Sequence, residues 1–166
     1  MSTAIPSEAV EVPSQRILVA GVGNVLRGDD GFGPAVTELL GGLPDGAEVI
    51  ETGTGGIALL QELMAGCSGL ILIDAVDRGA EPGTVFYIEP DVKMAVHVPD
   101  VHLANPERVL SMAKTIGVLP ERCVIIGCQP QDTEELCQGL SPCVEPCACG
   151  GAKRSMPITR APLFAA

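Results

Sequence analysis

The chain alternates between short apolar runs and longer segments with helical spacing. Ile17–Val22, Ala47–Thr52, Gly69–Ala75, Thr84–Ile88 and Arg122–Gly127 read as strands. Between them, Pro34–Leu40 and Gly56–Met64 repeat apolar residues every three or four positions, as a helix does. Pro34 suits a first helical turn, and Gly41 and Gly42 stop that helix. A third helix is predicted from Asn105 as cap and Pro106 at the first helical position to Gly117. "GLILIDAV" (Gly69–Val76) is apolar at nearly every position, which marks a strand buried on both faces. The order βαβαββαβ predicts an α/β fold in three layers: a mostly parallel, twisted sheet of about five strands with helices on both faces.

At 166 residues the chain is expected to form one domain. We expect a polar tail over 1–14, the α/β domain over 15–145, and an irregular tail rich in Cys, Gly and Pro over 146–166. With one Tyr, three Phe and no Trp, the core must be built from Val, Ile, Leu and Ala. The net charge of −11 argues against nucleic acid and anionic membranes as partners, since both require basic surface. No apolar stretch is long enough to span a bilayer, and residues 1–15 have no secretory pattern. The expected location is cytoplasmic, where the seven cysteines stay reduced.

"GVGNVLRGDDGFG" (Gly21–Gly33) follows the first strand. A dinucleotide loop needs a third glycine where Leu26 stands, and Asp29 and Asp30 would repel a pyrophosphate at the helix entrance. No nucleotide cofactor is expected. The carboxyl ends of parallel strands share one edge, which forms the binding crevice in this fold class. Asp30 follows strand one, Asp74 ends strand three, and His102 lies in the long loop before the third helix. Two carboxylates and one imidazole would make an open transition-metal site. The residues alone leave this open against the plainer alternative of helix caps, turn formers and an incidental histidine. In "ETGTGGIALL", the glycines serve either a close backbone approach or a simple turn, with Thr54 near the crevice. Asn24 is a candidate for ordering the first loop, and Asp77 for a turn. Cys123 is expected in the core and Cys128 near the crevice. "CVEPCAC" (Cys143–Cys149) lacks the paired C-x-x-C spacing of a zinc site.

The stretches "GVGNVLRGDDGFGPAVTELL", "ETGTGGIALL", "LILIDAVDRGAEPGTV", "VHLANPERVL" and "VIIGCQPQDTEELCQGLSPCVE" occur in that order. Together they resemble the hydrogenase maturation protease family, over about Ile17–Glu145. The resemblance implies an endopeptidase that removes a C-terminal extension from the precursor of a nickel–iron hydrogenase large subunit once nickel is in place. It implies that Asp30, Asp74 and His102 contact that nickel, which the substrate carries and the protein binds only transiently. His97 does not match the family spacing. Water is the expected nucleophile, because no G-x-S-x-G elbow, H-E-x-x-H or Cys–His pairing is present. The alternative from another class is a non-catalytic nickel-sensing chaperone of the large subunit. In this family "GLSP" leads into a regular helix, which Pro146, Gly150 and Gly151 interrupt here.

Overall fold

The computed structural model describes residues 16–54, 56–94 and 106–149. Strand β1 (Ile17–Val22) leads through a 3-10 turn, Gly28–Gly31, into helix α1 (Phe32–Leu39). There follow β2 (Ala47–Gly53), α2 (Gly56–Met64), β3 (Gly69–Ala75), β4 (Val85–Ile88), α3 (Pro106–Thr115), β5 (Arg122–Cys128) and the single turn α4 (Glu145–Ala148). The sheet order is β2-β1-β3-β5-β4. Four strands are parallel, and β4 alone runs antiparallel, along β5 at the edge. The expected α/β architecture is thus the observed one.

The two-residue period of the strands divides the core in two. Leu18, Ala20, Leu70, Leu72 and Ile125 face α2 and α3, meeting Leu59, Leu63, Val109 and Leu110. Val19 and Ile73 face the other way, meeting Phe32 of α1 and Val144 and Ala148 around α4. This explains the unbroken apolar run of β3: both of its faces are covered. In α3, Glu107 in the first turn and Lys114 in the last complement the helix dipole.

Most boundaries agree with the sequence reading to within one residue, and two shift further. Helix α1 begins at Phe32 rather than Pro34, because the 3-10 turn feeds it directly. The compact domain also runs past the boundary expected at 145, since Ala148 in α4 is buried beside α1. The tail over 1–14 and the proposed cap Asn105 lie outside the described residues. Among the described residues no helix is long and apolar enough to cross a membrane.

Candidate active site

The parallel strands β2, β1, β3 and β5 end at one rim, where the loops after them meet. The loop after β1 brings the two aspartates there. In a 3-10 turn successive side chains point about 120° apart, so neighbours face different surroundings. Asp29 is 1% exposed and turns toward the loop after β5. Its carboxylate accepts from the Gln131 N–H at 2.7 Å, the Asp132 N–H at 3.3 Å, the Ser141 N–H at 2.7 Å and the Ser141 hydroxyl at 2.8 Å. Such a set of donors is what a buried carboxylate requires.

Asp30 faces the rim. Its Oδ2 accepts from the Asn24 N–H at 2.8 Å, and its N–H donates to the Arg27 carbonyl at 3.1 Å. Asn24 orders the same loop, its Oδ1 accepting from the Leu26 N–H at 3.0 Å. Gly23 adopts φ 135° and lies so close to the Asp30 carbonyl that a Cβ would stand 1.8 Å from that oxygen. Only glycine permits both the conformation and the contact.

Asp74, at the end of β3, is 9% exposed. Burial pushes its carboxyl well above the ordinary carboxylate range, the neighbouring Asp30 charge pushes it further, and a bond from the Ala75 N–H partly opposes both. The structure therefore brings Asp30 and Asp74, 44 positions apart in sequence, close enough for the charge of one to act on the other. His102 and the competing His97 lie outside the described residues. Among the described residues no group of three His, Cys, Asp or Glu side chains has the geometry to hold a metal ion. The oxygen pair Asp30–Asp74 fits a divalent cation chemically and needs a further donor.

Beside this pair, between the ends of β1 and β2, lies a cavity of about 320 Å³. Gly21, Asn24, Val25, Pro34, Glu51 and Thr54 help to line it. Thr54 thus reaches the crevice, as its motif suggested. On the other side, Asp77 accepts from the Gly79 N–H at 3.0 Å, forming the expected turn, and from the Gln129 amide at 2.8 Å. These bonds draw its carboxyl below the usual range. Gln129 is 5% exposed, and its Oε1 accepts from the Arg78 and Ala80 N–H groups, so it fixes the loop after β3.

Sequence reasoning missed Asp29, Gln129 and Ser141. The only available signal was the doubled acid of "GDDG", which invites a separate task for each carboxylate. Cys128 ends β5 at the rim, and its side chain is buried in the second core. Burial and the nearby Cys147 push its thiol up to about 12. Cys123 packs partly buried on the first core, as expected.

The sequence model of the hydrogenase maturation protease family matches residues 36–148, and the chain belongs to that family. Among its relatives, the hydrogenase expression/formation protein HupD of Rhizobium leguminosarum bv. viciae is 37% identical over 142 residues, 79% of this chain and 67% of that protein. The hydrogenase 2 maturation protease of Escherichia coli K12 is 35% identical over 78% of this chain and 82% of its own length. This chain spans 60–67% of the length of the first four relatives of this kind. Among solved structures, the hydrogenase maturating endopeptidase HybD of E. coli superposes with a TM-score of 0.67 at 32% identity, over 82% of this chain and 88% of that one. The maturation protease HycI of Thermococcus kodakarensis gives 0.65 at 26% identity, over 87% and 92%.

Proposed function

We propose that this chain is an endopeptidase that removes the C-terminal extension of a nickel–iron hydrogenase large-subunit precursor after nickel insertion. It recognises the substrate's own nickel through Asp30, Asp74 and His102, holds it transiently, uses no nucleotide, and works in the cytoplasm. The observation that carries this reading is the acidic pair at the rim. Two carboxylates that repel each other in a buried setting attract a cation, which relieves both the repulsion and the cost of burial. An open set of two oxygens and one imidazole favours release after cleavage, where a closed four-ligand set would retain the ion. The ion anchors the precursor and the cavity beside Asn24 and Thr54 receives the peptide. Water then attacks the scissile carbonyl, assisted by the substrate's metal or giving its proton to a rim carboxylate; the C–N bond breaks, and the extension leaves as an amine that takes up the proton.

The test incubates nickel-loaded precursor with the protein and with Asp30→Asn, Asp74→Asn and His102→Ala, and follows the precursor's mass. The expected result is loss of the extension with the unaltered protein and strongly slowed loss with each variant. Processing at normal rates by the variants would sink the ligand assignment. An unchanged precursor mass with the unaltered protein would favour a nickel-sensing chaperone instead.

A further inference from the structure

We propose that Asp29 is a positioning residue for the reaction, acting through Asp30; this rests on the reading of Asp30 given above. The turn Gly28–Gly31 is held from two sides. On the inner side the loop 23–27 bonds to Asp30, through the Asn24 N–H on its carboxylate and the Arg27 carbonyl on its N–H. On the outer side the segment 131–141 bonds to Asp29. Besides the four bonds to its carboxylate, the Asp29 N–H donates to the Asp132 carbonyl at 3.1 Å, and the Gly28 N–H to the Cys137 carbonyl at 3.0 Å. Both carboxylate oxygens are used: Oδ1 by the Ser141 N–H, and Oδ2 by Gln131, Asp132 and the Ser141 hydroxyl.

An amide in place of the Asp29 carboxylate keeps the shape but turns one acceptor into a donor. That donor would face a backbone N–H or the Ser141 hydroxyl, and the segment would have to move away. The turn then loses its outer support, and the carboxylate of Asp30 loses its fixed place opposite Asp74. Displacement of a reacting group by about 1 Å is worth up to about a hundredfold in rate. Ser141 is the graded probe. Ser141→Ala removes one of the four bonds and leaves the other three intact.

The experiment measures kcat and KM on nickel-loaded precursor for Asp29→Asn, Ser141→Ala and the control Asp30→Asn. It is run well below each variant's melting temperature, with circular dichroism confirming the fold. We expect kcat to fall roughly tenfold to a hundredfold for Asp29→Asn, several-fold for Ser141→Ala, and KM to stay within about twofold for both. A residue that merely stabilised the fold would lower the melting temperature and leave kcat of the folded protein unchanged. If Asp30→Asn is inactive while folded Asp29→Asn and Ser141→Ala keep full kcat, the positioning role is refuted and the site reading survives. If Asp30→Asn itself cleaves normally, the site reading fails, and the positioning role fails with it. Should Asp29→Asn not fold, Ser141→Ala decides: full kcat refutes the proposal, and a several-fold loss with unchanged KM supports it.

Discussion

Replacing Gly33 by alanine tests how the fold places its acidic rim. Gly33 is the second residue of α1, and its backbone lies directly on the sheet. A Cβ there would stand 2.3 Å from the carbonyl oxygens of both Val22 and Ile73, and 2.6 Å from the Val22 nitrogen. The obstacles are main-chain atoms of β1 and β3, which cannot rotate aside as a side chain would. The reverse contact is equally tight, since a Cβ on Gly21 would be 2.6 Å from the Gly33 carbonyl. Helix α1 must therefore lift by roughly 1 Å, reopening its contacts through Phe32. Overpacking typically costs about 1–3 kcal/mol, and the upper end or beyond applies where backbone blocks relaxation. We expect about 3 kcal/mol, a large share of a total stability of roughly 5–15 kcal/mol. The competing effect has the opposite sign, because alanine in a helix is favoured over glycine by about 1 kcal/mol. Urea unfolding followed by far-ultraviolet circular dichroism reads the difference, the chain having no tryptophan for fluorescence. A variant as stable as the parent, or more stable, would refute the close-approach argument. Because Asp30 lies three residues upstream, precursor processing should fall as well.

Asp74→Asn should stabilise the protein free of substrate at neutral pH. The raised folded-state pKa means the fold favours the protonated acid: that stability is full below about 3.8 and is lost as pH rises through the raised value. The variant's advantage in urea midpoint should therefore grow on going up from pH 4, and a difference that is flat with pH would contradict the assignment. Leu110→Ala, at a fully buried position of α3, should cost about 2–5 kcal/mol, while Ile116→Ala, at an exposed position, should cost under about 0.5 kcal/mol in the same assay. Alkylation at pH 8 should label Cys137, Cys143 and Cys149, which are exposed, and spare Cys123 and Cys128 until the protein is unfolded. Both of the spared thiols are pushed up to about 12 by burial, which cuts their thiolate fraction about a thousandfold. Peptide mass mapping that found Cys128 among the early sites would overturn its placement.

Features carried by local pattern were legible in the sequence. The run Gly69–Ala75 marks a strand covered on both faces, and the rule that ligands gather at strand carboxyl ends places Asp30 near Asp74. What was not legible depends on contacts between remote segments. Nothing near Asp29 marks it as buried, since its partners lie 102 to 112 positions away. The antiparallel pairing of β4 with β5 is likewise set by tertiary packing, because a four-residue apolar run suits either direction. The start of α1 is hidden in the sequence because "GDDG" looks like an open loop, whereas it forms a 3-10 turn continuous with the helix. The burial of Cys128 was not legible either, because a small thiol at a strand end suits an exposed and a core position equally.

The bonds from Gln131 and Ser141 to Asp29 have a temporal meaning. The ribosome releases the first loop long before it makes the residues that close around it. Strand β4 also emerges before β5, its sole neighbour in the sheet among the described residues. A nascent chain stopped short of Ser141 would carry both aspartates yet lack two of the four bonds that hold the Asp29 carboxylate. The buried setting of Asp29 should thus form late in synthesis and all at once, only after Gln131 and Ser141 have both emerged.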